Sequence, residues 1–228
     1  MKLKLSFSVL ARAILLASLL ATAVQSGPGR AAQYSPPDVR AASDIQYPVN
    51  TLAAGAVSLL ITLDGNAQIQ NVQVLRDFPS LTSSVQQAVQ NWTFTPAALN
   101  GSSVPSEISV TAIFNIFNPA GGAASQSLVI APAQATSPDA SQFTPPQITR
   151  ASFANYPAAS VSQGTVVLDV TVGKAGQPKQ IRAIRGVPTL TQQAVNAVKS
   201  WGFNAATIRG QPVAAPIVIA FVFQRNMS

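Results

Sequence analysis

Val57, Leu59, Ile61 and Leu63 alternate with Ser58, Leu60 and Thr62. Period-two alternation of this kind predicts a half-buried strand. Val166, Leu168, Val170 and Val172 write the same pattern again. Turn sequences follow, "DGNA" at 64–67 and "GKAG" at 173–176, and return strands carry Val72 and Val74, or Ile181 and Ala183. Both stretches therefore read as hairpins. The apolar period then lengthens to that of a helix: Leu81, Val85, Ala88, Val89 and Trp92, matched by Leu190, Ala194, Ala197, Val198 and Trp201. Ser80 and Thr189 are N-cap candidates, and Thr189 with Gln192 spells a capping box. A last strand, Ile108–Phe114 or Ile217–Phe223, ends each series. Tyr47-Pro48 and Tyr156-Pro157 open them, each followed by a segment read as a brief helix ending at Gly55 or Gly164.

The two series are copies. Trp92 and Trp201, the two tryptophans of the chain, stand 201 − 92 = 109 residues apart. At that offset Tyr47–Asn115 aligns with Tyr156–Gln224 without a gap, and 20 of 69 positions are identical. A repeat of this length means two domains rather than a solenoid, whose units run to about 20–50 residues. The expected class is α+β: two tandem α-β-β-α-β domains, each a three-stranded antiparallel sheet with helices on one face. The expected boundaries are a signal peptide over 1–26, an irregular segment over 27–46, the first domain over 47–117, a Pro/Ala/Ser-rich linker over 118–150 and the second domain over 151–228.

Lys2, Lys4 and Arg12 form a basic flank before the apolar run Ala13–Val24, and Ala21-Thr22-Ala23 suits cleavage. This predicts a cleavable secretory signal and an exported protein. The alternative is an uncleaved inner-membrane anchor, since Leu5–Val24 is about membrane-spanning length. Without the three flanking cations, 14 − 3 = 11 basic residues face 7 acidic ones, a net charge of +4. The excess sits in the second copy, where Lys174, Lys179, Arg182, Arg185, Lys199, Arg209 and Arg225 face Asp169 alone. There is no basic cluster with interleaved aromatics, so nucleic acid is not an expected partner.

Histidine and cysteine are absent, which removes the usual neutral-pH base, the thiolate nucleophile and the commonest metal ligands. No phosphate-binding glycine motif or paired carboxylate cluster replaces them. The chain is expected to be non-enzymatic, with no cofactor and no metal.

Tyr-Pro, strand-turn-strand, Leu…Ala…Trp-x-Phe-x-Pro-Ala…Asn-Gly…Phe resembles the C-terminal domain of TonB-family proteins. The first copy carries Tyr47, Pro48, Gly55, Trp92, Phe94, Pro96, Ala97, Asn100, Gly101 and Phe114. The second carries Tyr156, Pro157, Gly164, Trp201, Phe203, Ala206, Gly210, Pro212, Val213 and Phe223, with Ala205 where the family has proline. The resemblance implies a periplasmic module that binds outer-membrane transporters. It also implies β-augmentation, in which a short transporter segment pairs with an exposed last strand. A full transducer of this family resembles a membrane anchor with a coupling histidine and a long spacer, and this chain has no histidine.

The resemblance makes Ile217, Val218, Ile219, Ala220, Phe221, Val222 and Phe223 the candidate docking edge, with Ile108, Val110, Ala112 and Phe114 as its counterpart. The first copy's strand, with Glu107, Ser109 and Thr111, is the more polar, so the second is expected to dominate. "IVIAFVF" is apolar on both faces, which a central strand covered on both sides would also explain. Trp92, Phe94, Trp201 and Phe203 are expected in the cores, Tyr47 and Tyr156 at the start of each domain, and Gly101 and Gly210 in turns. Lys179, Arg182 and Arg185 form a basic face, either solvated or meeting an acidic partner. The expected partners are outer-membrane transporter segments, with a homodimer through the same edges as a further mode. A structural envelope component that binds peptidoglycan or self-associates is the alternative function.

Overall fold

A computed structural model describes residues 33–51, 53–116, 127–128 and 143–225. The predicted signal segment and nearly all of residues 118–142 lie outside these. The first repeat contributes β1 (Tyr34–Ser35), β2 (Asp38–Ala41), β3 (Gly55–Leu63), β4 (Ile69–Arg76), α1 (Thr82–Val89), β5 (Thr93–Thr95), β6 (Ala97–Leu99), β7 (Ser102–Val104) and β8 (Ser106–Ile116). After β9 (Ser127–Leu128), the second repeat runs through β10 (Phe143–Thr144), β11 (Gln147–Ser152), β12 (Gly164–Val172), β13 (Pro178–Arg185) and α2 (Thr191–Lys199). It ends with β14 (Gly202–Asn204), β15 (Ala206–Ile208), β16 (Gln211–Val213) and β17 (Ala215–Gln224).

The long strands join in one six-stranded sheet of order β13-β12-β17-β8-β3-β4. Each half is antiparallel with its first long strand, β3 or β12, in the middle, and the halves meet where β17 pairs with β8 in parallel, Val218 beside Val110 through Gln224 beside Ile116. This corrects the expected pair of separate three-stranded sheets with helices on one face. Leu59, Ile61, Val110 and Ala112 pack with Val85 and Val89 of α1 in one core. Val166, Leu168, Ile217 and Ile219 pack with Ala194 and Val198 of α2 in the other. Successive residues of β17 divide between the two cores, so the helices lie on opposite faces of the sheet.

The physical reason lies in the strands. A three-stranded sheet with one helix leaves its second face open, yet β17 is apolar on both. Val218, Ala220 and Val222 complete the first repeat's core, and Ile113 and Ala56 complete the second's. Each fully buried aliphatic or aromatic side chain contributes about 1.5–3 kcal/mol, so neither set can be left to solvent.

The N-terminal arms finish the covering. The segment 34–46, read from sequence as irregular, pairs β1 with β6 and β2 with β5. Within the predicted linker, β10 and β11 pair with β15 and β14 in the same way. The repeat thus begins before Tyr47 and Tyr156. Tyr34 and Phe143, also 109 apart, meet in a tilted ring contact with centroids 6.0 Å from each other.

Local expectations were partly met. Residues 48–51 and 157–160 each form a single turn, Thr51 N donating to Pro48 O at 3.4 Å and Ser160 N to Pro157 O at 2.9 Å, in place of a helix. Ser80 and Thr189 do not cap: the helix N-caps are Leu81 and Leu190, without a side-chain bond. Thr82 and Thr191, the first helical residues, instead hold the preceding turn, their Oγ1 accepting from Phe78 N at 2.9 Å and Val187 N at 2.8 Å. Asn100-Gly101 and Arg209-Gly210 have positive φ at both residues, which makes tight β6-β7 and β15-β16 hairpins.

Candidate interaction site: the seam between the repeats

Every residue of the candidate docking strands is found at the centre of the sheet. Ile217–Phe223 is at most 2% exposed, and Ile108, Val110, Ala112 and Phe114 at most 1%. β17 is bonded to β12 on one side and β8 on the other, and β8 to β17 and β3. The expectation of an open edge is therefore corrected: in this structure each last strand is already paired, and its partner is the other copy. The reading of "IVIAFVF" as a strand covered on both faces is the one the structure bears out.

The register carries the logic of the seam. Equivalent residues are 109 apart, but Val110 pairs with Val218, 218 − 110 = 108. A shift of one residue turns a strand's side chains to the opposite face. The copies are thus related by a half-turn about an axis along the strands, which sends α1 to one face and α2 to the other. Ser58 Oγ and Thr111 Oγ1, 3.0 Å apart, satisfy each other within the sheet.

The true sheet edges, β4 and β13, are poor templates for another strand. Both pairings slip twice, between Ser58 and Leu59 and between Thr62 and Leu63 for β4, and at the two equivalent places for β13. Bulges, an edge proline at 178 and charges at Lys179, Arg182 and Arg185 discourage strand addition. The β3-β8, β8-β17 and β17-β12 ladders run without a slip.

The arms lock the seam from outside. Leading from β2, Ile45 N donates to Thr165 Oγ1 at 2.9 Å, and Asp44 Oδ1 accepts from Thr165 N at 2.8 Å, a reach of 120 residues. Arg182 of β13 holds Asp38 of β2 at 2.6 Å and Asp169 of β12 at 3.1 Å, and Arg185 stands 3.7 Å from Asp44. Arg182 and Arg185 of the basic face thus meet acidic partners within the chain, on its own arm. Asp169 is 9% exposed and its Oδ1 has no hydrogen-bond partner. Burial, then the charge of Asp38, push its carboxyl above the ordinary range, and Arg182 offsets this in part. Across the sheet the second arm is held by Asn115 Nδ2 donating to Ala154 O at 2.7 Å.

The motif residues are structural. Trp92 and Trp201 are 4% exposed, Phe94 8% and Phe203 7%, so they are core rather than a ligand platform. Trp201 Nε1 donates to Ser152 Oγ at 3.3 Å, whereas Trp92 Nε1 is buried without a partner. The equivalent Ser43 turns instead to Ala88 O at 3.1 Å. Tyr47 packs edge-on against Phe114 and Tyr156 against Phe223, each donating its hydroxyl to a carbonyl six residues on, Ala53 or Ser162. Pro48 and Pro157 accept in the turns described above. Among the described residues no group of three or more His, Cys, Asp or Glu could hold a metal ion. Among them, too, no helix is long and apolar enough to cross a membrane.

Sequence reasoning missed Asp38, Asp44 and their strand pairings. The signal was present: at the 109-residue offset Pro36, Pro37, Ala42 and Ser43 recur as Pro145, Pro146, Ala151 and Ser152.

The sequence model for the Gram-negative bacterial TonB protein C-terminal matches the chain twice, over residues 46–116 and 154–224. No curated protein and no solved structure matches.

Proposed function

Starting from a chain that belongs to the TonB C-terminal domain family, a family of non-catalytic protein-interaction domains in TonB-dependent transport, we propose an exported periplasmic adaptor with an internally paired docking strand. Its partner is an extended segment of an outer-membrane transporter, added to β17 by β-augmentation once the seam with β8 has parted. The carrying observation is that β8 and β17, the strands the family resemblance assigns to docking, pair with each other in an unbroken ladder. A partner strand that supplies the same backbone bonds replaces β8 without leaving β17 unpaired. The bulged and charged outer edges offer no comparable template.

The second repeat dominates in this reading, because Val218, Ala220 and Val222, on the face turned away from its own helix, give the partner an apolar surface. In the first, Ser109 and Thr111 stand at the positions equivalent to Val218 and Ala220. Export rests on the N-terminal apolar segment, and no motor coupling is assigned to the chain.

Photo-crosslinking in cells tests this, with the reactive residue at 219 or at 111. The expected product is a covalent adduct with an outer-membrane transporter, stronger from 219. Crosslinks confined to the chain itself, with transporters present and engaged, would contradict the docking reading.

A further inference from the structure

The repeats differ in charge where the first arm crosses the second repeat. Asp169 occupies the position of Leu60, and Arg182 that of Gln73. Asp169 and Arg182 are direct partners in the β12-β13 ladder, so their pairing belongs to the sheet and persists whether or not the arm is in place. The arm adds a second carboxylate. Asp38 takes the Arg182 Nη2 with both oxygens, at 2.7 and 2.6 Å, and leaves Asp169 a single 3.1 Å contact. Two carboxylates then share one guanidinium, and the inner one keeps an oxygen with no donor.

We propose that this cluster makes docking of the 38–45 arm onto the second repeat dependent on pH, with acid tightening the arm and neutral solution loosening it. Closure buries Asp169 and sets the charge of Asp38 beside it, and both act against its ionised form. The groups facing Asp169 are Asp38 from β2 and Arg182 from β13. β17 contributes no charge, since the residue opposite is Val218. Asp44 and Arg185 pair farther along the same crossing, 3.7 Å apart.

The sign follows from linkage. The closed form holds the Asp169 carboxyl above its ordinary range, for burial first and the Asp38 charge second. The closed form therefore binds a proton more readily than the open one. Its advantage is present at lower pH and fades as pH rises through the raised value. The window lies above the ordinary carboxylate range of about 4. The inference rests on the reading that docking requires the repeats to part, for the arm must leave Thr165 before β17 can leave β8.

Hydrogen exchange on the full chain, with no partner added, tests the device. The reporters are the amides of Ile45 and Thr165, both bonded across the crossing. Their protection factors, corrected for intrinsic rates, are expected to rise severalfold from about pH 7 to about pH 5, bounded by tenfold per unit of pKa difference. Asp169→Asn should show the acid level of protection at both pH values. Asp38→Asn removes the competing charge but not the burial, so the rise should shrink even if the first variant folds poorly. Wild-type protection that is flat or falls on acidification would overturn the proposal, as would a full rise in either variant. Because the readout is the arm alone, such a failure leaves the docking reading standing. Loss of transporter adducts likewise leaves this one standing.

Discussion

Val218 lies beside Val110 in a parallel ladder, one residue out of step with the repeat that made them. That offset puts both valines in one core and the next pair of the ladder, Ile219 beside Thr111, on the opposite face. It lets two copies of one sequence cover both faces of a shared sheet with one helix each.

The shared cores predict shared unfolding. Trp92→Ala and Trp201→Ala should each cost about 3–5 kcal/mol, as for a buried large aromatic. The Trp92 core also holds Val167, Val218, Ala220 and Val222 of the second repeat, so either variant should shift a single calorimetric transition. Two resolved transitions, one unmoved, would show independent domains.

A cut between the repeats should not separate them. Residues 118–142 are rich in Pro, Ala and Ser and are the expected first site of limited proteolysis. After cleavage the halves should still co-elute at the size of the intact chain, held by the seam and the crossed arms. Elution as two smaller species would count against the single sheet.

Gly176 and Gly210 share a φ of 77° but not their surroundings. A Cβ on Gly176 would lie 2.2 Å from the carbonyl oxygen of Phe203, whereas one on Gly210 meets nothing within 4 Å. Gly210→Ala should cost about 1 kcal/mol, the penalty of the left-handed region alone. Gly176→Ala should cost clearly more in the same denaturant titration.

Alkaline titration offers an independent check on Tyr47. Burial pushes its hydroxyl up to about 12 from 10.0. The raised value means that its contribution is complete below pH 10 and is lost as pH rises toward 12. Tyr47→Phe should flatten that part of the stability profile, which denaturation midpoints across the range would measure.

Much of this was legible in the chain. Alternation at 57–63 and 166–172 gave β3 and β12, and helical spacing from Leu81 to Trp92 gave α1, because those periods depend only on local geometry. The copy-to-copy identity gave the repeat. The pairing of β8 with β17 was not legible, since parallel neighbours leave no turn between them to read. Apolarity on both faces of Ile217–Phe223 was the one available sign, and it suited a covered centre as well as a docking edge. The crossed arms escaped because β1, β2, β10 and β11 are short, and their partners β6, β5, β15 and β14 lie more than fifty residues away. The Asp38-Arg182-Asp169 cluster escaped with them: its outer members are 144 residues apart.

The central claim is that the last strands of the two repeats are each other's partners and must part for docking. Cysteine is absent from the chain, so Ala112→Cys with Ala220→Cys provides a clean pair at facing positions of the seam. Adjacent strands lie about 4.8 Å apart, within reach of a disulfide. Oxidation should give an intramolecular disulfide in the monomer with the fold retained. Transporter capture should be lost in that form and return on reduction. A double variant that crosslinks only between molecules, or that captures its partner equally well when locked, would contradict the account.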